Sequence, residues 1–207
     1  MPVLSPFSDF LKTNNDQQTT KFQQPTTNNQ QLTTMSCALT LGYTLDCRDN
    51  VGGVKEIYIT ELSNITTPAV TSGTVTAIAM KTGSQFWKYQ LEKETSALVE
   101  HCLTNDVNGT VYYEQDLDFS IRKLQATWRN EIRALAQNRL AVIVLDRNGH
   151  YWLCGMNNGL ELQNSDSLTG KAMGDFSGYQ LKFKGKEELP MPQVVLSDFS
   201  VLLSPAA

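Results

Sequence analysis

Residues 111–121, VYYEQDLDFSI, constrain the fold more than any other part of this sequence. Val111, Tyr113, Leu117, Phe119 and Ile121 share one parity, while Tyr112, Glu114, Asp116, Asp118 and Ser120 share the other. A period of two puts these sets on opposite faces of a β-strand, one face to be covered and one wet and acidic. A strand of this length with one apolar face must lie in a sheet packed against a second layer.

The flanking sequence repeats the theme. VKEIYITE (54–61), TVTAIAM (74–80) and QFWKYQL (85–91) read as strands, the last with Trp87, Tyr89 and Leu91 on one face. ETSALVEHCLTN (94–105) is a weaker alternation that stops at a turn on Asn108-Gly109. LAVIVLDR (140–147) and HYWLCG (150–155) flank Asn148-Gly149, the pattern of a two-residue hairpin turn. GLELQ (159–163), a polar loop and GYQLKFKGK (178–186) follow. One helix is predicted over 127–139, capped by Thr127, with Trp128, Ile132, Leu135 and Ala136 forming its apolar packing stripe. The expected fold is mainly β: a sandwich or curled antiparallel sheet of eight or more strands, one flanking α-helix and extended terminal arms.

Those arms set the domain organisation. Residues 13–34 hold Thr, Asn or Gln at 17 of 22 positions. Such a stretch buries too little apolar surface to offset its ordering entropy and is expected to be disordered in an isolated chain. Ahead of it, Val3, Leu4, Phe7, Phe10 and Leu11 read as an apolar anchor on a tether. At the other end, Pro190 and Pro192 break the chain before QVVLSDFSVLL, a last strand or a second arm. The sequence thus divides into an arm over 1–34, a β domain over 35–190 and a terminal segment over 191–207. Val194, Leu196 and Phe199 join the N-terminal anchor as candidate inter-subunit contacts.

Charge and cysteine content narrow the function classes. The 17 basic and 21 acidic residues leave a net charge of −4, which argues against a surface built to grip phosphate backbone. No apolar run approaches the ~20 residues of a membrane span, so no membrane anchor is expected. The start lacks the charged and apolar regions of a secretory signal, and none is expected. Cys37, Cys47, Cys102 and Cys154 include no C-x2–4-C pair, so neither a zinc knuckle nor a disulfide scaffold is expected.

Catalytic patterns are missing as well. His101 and His150 have no partner at metal-ligand spacing. Lys81-Thr82-Gly83 lacks the Ser-x-x-Lys its chemistry requires, and Gly170-Lys171 lacks a phosphate-binding loop. Glu114, Asp116 and Asp118 stand roughly 6.5–7 Å apart along one strand face, a spacing open to glycosidase chemistry. No sugar-binding aromatic cluster beyond Tyr112 accompanies them, so they read as a solvated, non-catalytic face. No catalytic residue, metal site or cofactor is assigned.

The order over 109–187 carries a family resemblance: GTVYYEQDLDFSIRKLQATWRNEIRALAQNR, then the hairpin LAVIVLDRNGHYWLCGMNNGLEL, then GYQLKFKGKEELP. This strand–helix–hairpin–strand order resembles the tail-tube proteins of tailed bacteriophages and contractile injection systems. CALTLGYTLDCRDNVGGVKEIYITEL is similar to structural proteins of Bacteroidetes-infecting phages, crAss-like phages among them. The resemblance implies a non-enzymatic virion protein, made in the host cytoplasm, whose sheets join into a homo-oligomeric ring or tube. DNA would pass through without specific binding, and other tail or neck proteins would be partners. Glu114, Asp116 and Asp118 would then line the channel and repel DNA phosphate. The alternatives are a capsid or neck component of the same phage class, and a carbohydrate-binding β-sandwich module.

Overall fold

The computed structural model describes Leu39, residues 41–45 and residues 47–203. The chain divides into two units, Met1–Asp46 and Cys47–Ala207. The arm and its candidate contacts Val3, Leu4, Phe7, Phe10 and Leu11 lie outside the described residues. In the first unit, Leu39 and residues 41–45 form no regular secondary structure.

The second unit is mainly β. Its elements run β1 (Val54–Glu61), β2 (Val70–Thr71), β3 (Thr74–Val75), β4 (Trp87–Gln90), β5 (Ala97–Asn105), β6 (Thr110–Arg122), α1 (Ala126–Gln137), β7 (Leu140–Asp146), β8 (Tyr151–Cys154), β9 (Glu161–Leu168), β10 (Gly178–Glu187) and β11 (Gln193–Val194). They form a seven-stranded sheet, β2-β3-β11-β8-β7-β1-β4, and a four-stranded sheet, β5-β6-β10-β9. All neighbours are antiparallel except β11 and β3, which run parallel. Neither sheet closes into a barrel or curls strongly, so of the two expected forms the open two-sheet arrangement is the one observed.

Two cores explain the layering. The first fills the space between the sheets: Ile57 and Ile59 of β1, Leu117 and Phe119 of β6, Val142 and Val144 of β7, and Leu181 and Phe183 of β10. Phe119 and Phe183 stack at 5.6 Å. The second core lies on the far side of the seven-stranded sheet and holds Tyr58, Ala141, Ile143, Leu145, Leu153, Val194 and Leu202. Strand β7 feeds both cores, with alternate residues going to each. That is why LAVIVL reads as an unbroken apolar run: a strand covered on both faces has no wet parity to encode.

The second core needs a cover, and the C-terminal segment supplies it. Val194, Leu196 and Phe199, offered by the sequence as inter-subunit contacts, pack within the chain's own domain. The Phe199 ring lies 4.4 Å from that of Tyr151 and 4.7 Å from that of Tyr58. The Val195 N–H donates to the Val75 carbonyl and the Phe86 N–H to the Leu202 carbonyl. The segment is therefore a last strand with a short helical turn (Ser200–Leu203) laid over the sheet.

Several boundaries differ from the sequence expectations. The helix begins one residue early, at Ala126; Gln125 holds the N-cap position without a side-chain cap, and Thr127 lies inside the helix. Trp128, Ile132 and Leu135 pack on the first core, but Ala136 is exposed, because the stripe is narrower than four residues. The strand expected over 74–80 keeps only Thr74 and Val75, with Met80 making an isolated bridge to Ile65. The polar loop expected after Gln163 is strand as far as Leu168, held by β10 despite its Asn, Ser and Asp. The β7–β8 connection is a three-residue loop: Asp146 and His150 still bond, and Gly149 takes φ 89°. This is a turn closed by a left-handed glycine, not the two-residue turn expected.

Candidate functional site

The acidic face of β6 was the sequence's main candidate. Strand β10 runs beside it in a register that sets Lys182 against Asp118, Lys184 against Asp116 and Lys186 against Glu114. Lys184 pairs with Glu114 and lies 3.6 Å from Asp116; Lys182 lies 3.6 Å from Asp118 and Lys186 3.7 Å from Glu114. On the other flank His101 of β5 approaches Asp116 at 3.9 Å. The hydrogen bond from Lys184 holds the Glu114 carboxyl below its ordinary 4.5, against a smaller opposing effect of burial. The same bond holds Lys184 above its ordinary 10.5. Three carboxylates thus meet three ammonium groups, and the face is a cross-strand ladder of nearly balanced charge rather than a bare acidic surface. The matching sequence signal is KFKGK, whose lysines alternate with the same period of two.

No group of three or more His, Cys, Asp or Glu side chains among the described residues could hold a metal ion. No described helix is long and apolar enough to cross a membrane.

The sandwich is finished differently at its two sides. At the β4 and β9 side, α1 closes the gap: Trp128 lies 5.7 Å from Tyr89 of β4, and Leu162 of β9 joins Ile132 on the core. At the β5 side no helix intervenes. A cleft of about 650 Å³ opens there, with Leu98, Val144, Trp152 and Met191 among its walls and residues 50–53 along its rim.

Polar groups tie the elements around the cleft and along the core together. Glu100 of β5 turns inward and accepts the Met191 N–H at 2.7 Å. Gln115, only 1% exposed, accepts the Gly155 N–H at 2.9 Å. Gly155 takes φ 65°, and a Cβ there would stand 2.6 Å from the Leu160 nitrogen. Buried Glu187 accepts the N–H groups of Asn157 and Asn158. Partial burial opposes ionisation of Asp146 at the cleft wall. Even so, the His150 N–H, the Trp152 indole N–H, the His150 ring and the Asn148 N–H hold its carboxyl below the ordinary value. Burial pushes the Cys154 thiol far up, which leaves it an inert apolar group beside Met191.

The edges complete the inventory. Among the described residues, each sheet ends in two strands with one free side: β2 and β4, β5 and β9. Strand β2 has two residues and β4 has four, the latter bearing Lys88. Strand β9 carries Glu161 and Asp166 and lies on the helix side. Strand β5 has nine residues, no lysine and no proline, and Val99 on it is 42% exposed. Sequence alternation located β5 but not its place at an edge.

Comparison with protein-family models, with curated proteins and with solved structures returned no match.

Proposed function

We propose that this chain is a non-enzymatic structural subunit that self-assembles through its sheet edges into a ring or tube of the phage-tail type. The observation that carries the reading is β5, a nine-residue edge strand with no lysine or proline, uncovered among the described residues, whose one carboxylate, Glu100, turns inward to the Met191 N–H. In a ring, an edge of this kind is a joint, and repetition of one joint around an axis closes the structure. The strand–helix–hairpin–strand order that resembles tail-tube proteins supports the same reading. Its place is the virion, as tail tube or as a neck ring; both call for the same subunit with different neighbours.

The outer face of the four-stranded sheet is the channel wall in this proposal, with Glu114, Asp116 and Asp118 on it. Its balanced ladder gives passing DNA no cationic surface to bind. Low adhesion then follows from paired charges, not from bulk repulsion.

Negative-stain electron microscopy of the full chain, with mass photometry over a concentration series, tests the assembly. Rings or tubes with a central hole are expected. A monomer or a fixed small oligomer at every concentration overturns the reading.

A further inference from the structure

Three Asn-Gly dipeptides occur in this chain: Asn108-Gly109, Asn148-Gly149 and Asn158-Gly159. The pairing is chemically reactive. A glycine carries no Cβ to obstruct its nitrogen from reaching the preceding side-chain amide. Once that nitrogen meets the amide carbon at attack distance, a five-membered imide can close, and this requires the asparagine side chain to turn freely. All three asparagines are exposed, so exposure does not rank them. Their hydrogen bonds do.

Two of the three pairs are held. The Asn148 Oδ1 accepts the Val51 N–H at 2.9 Å, and the Gly149 N–H donates to the Asp146 carbonyl at 3.4 Å. The Asn158 Nδ2 donates to the Lys186 carbonyl at 2.9 Å, and its main-chain N–H donates to the Glu187 carboxylate at 2.9 Å. Gly159 is buried, and a Cβ on it would stand 2.9 Å from the Arg139 Cβ. Asn108 differs. Its main-chain N–H and that of Val107 donate to the Asn105 Oδ1, which holds the hairpin turn. Among the described residues no hydrogen bond engages the Asn108 side chain or the Gly109 N–H. Gly109, at φ 62°, has open space on its Cβ side.

We propose that Asn108 is a self-modification site of this protein, converted to aspartate and isoaspartate while the fold protects Asn148 and Asn158. The Gly109 nitrogen loses its proton to hydroxide and attacks the Asn108 Cγ. The N–Cγ bond forms, the Cγ–Nδ2 bond breaks, and the amide leaves as ammonia with a proton from water. Water then opens the succinimide at either carbonyl. Both products place a new carboxylate on the β5–β6 turn near Asp106, and isoaspartate also adds a main-chain atom to that turn. The site stands whether or not the chain assembles.

The full-length chain is incubated in mildly alkaline buffer, folded and in urea. The peptides carrying the three asparagines are followed by mass spectrometry, with electron-transfer fragmentation to separate aspartate from isoaspartate. In the folded protein the Asn108 peptide should convert about tenfold faster than either of the others, as expected where one or two hydrogen bonds must open before attack. In urea the three rates should converge, because the reacting dipeptide is the same. Equal rates in the folded protein, or conversion of Asn148 or Asn158 first, overturn the proposal. So does a folded Asn108 peptide that stays unchanged after the unfolded chain has converted. An Asn108 lead that persists undiminished in urea also overturns it, because the flanking sequence and not the fold would then set the rate.

Discussion

The two sides of this sandwich solve one problem in opposite ways. Where β4 and β9 end, α1 drops Trp128, Ile132 and Leu135 into the gap between the sheets, and the apolar interior is sealed by the chain itself. Where β5 ends, the interior reaches the surface as a cleft, and the neighbouring groups are tied by Glu100, Gln115 and backbone N–H groups. The sealed side is built for the stability of one copy. The open side keeps a strand edge beside a partly apolar cleft at the surface, the feature on which the proposed assembly rests.

The largest effect that can break this contrast lies on the sealed side. Leu135→Ala should cost about 2–4 kcal/mol, because a fully packed leucine leaves a cavity the helix cannot collapse into. Urea unfolding of the monomer measures it; a loss under 1 kcal/mol would mean that α1 is not what closes the core. On the open side, Gln115→Leu should cost about 1–3 kcal/mol through the unpaired Gly155 N–H, with little change in volume. Leu98→Ala, at the half-covered cleft wall, should cost only about 1 kcal/mol in a dilute monomer. The same substitution should weaken association more than it weakens folding, and a larger loss in folding than in association would reverse the roles given to the two sides. Smallest of all, Val99→Lys should leave monomer stability within about 0.5 kcal/mol while suppressing oligomers in mass photometry.

The charge ladder allows a sharper check by pH. Glu114 is held below its ordinary 4.5, so its contribution to stability is present above that value and is lost as pH falls through the folded-state value. Lys184 is held above its ordinary 10.5, so its contribution is present below that value and is lost as pH rises through the folded-state value. Between those limits both contributions are constant. In Lys184→Met the Glu114 carboxyl should titrate closer to 4.5 by carbonyl-detected NMR, and an unmoved titration would remove Lys184 as its partner.

Local periodicity made much of the architecture legible. The alternation over 111–121 became β6, the stripe from Trp128 to Leu135 became the buried side of α1, and the run over 140–145 became β7, an interior strand buried on both faces. It failed where a neighbour decided the outcome. Polar residues 164–167 are strand because β10 offers them a ladder, and TVTAIAM loses most of its strand because only β2 and β11 flank it, each two residues long. The C-terminal apolar stretch looks identical in sequence whether it serves as an arm or as a lid, and the exposed far face of the seven-stranded sheet made it a lid.

The candidate site divides along the same line. That Glu114, Asp116 and Asp118 share one strand face was legible from alternation alone, since side chains two apart on a strand have no other choice. Only the tertiary structure brought Lys182, Lys184 and Lys186 against them, because register between β6 and β10 is a long-range property that no local pattern contains. Likewise, alternation over 94–105 already marked β5 as a strand. That β5 stands at an edge, and that a cleft opens beside it, was decided by how two sheets and one helix divide the available cover.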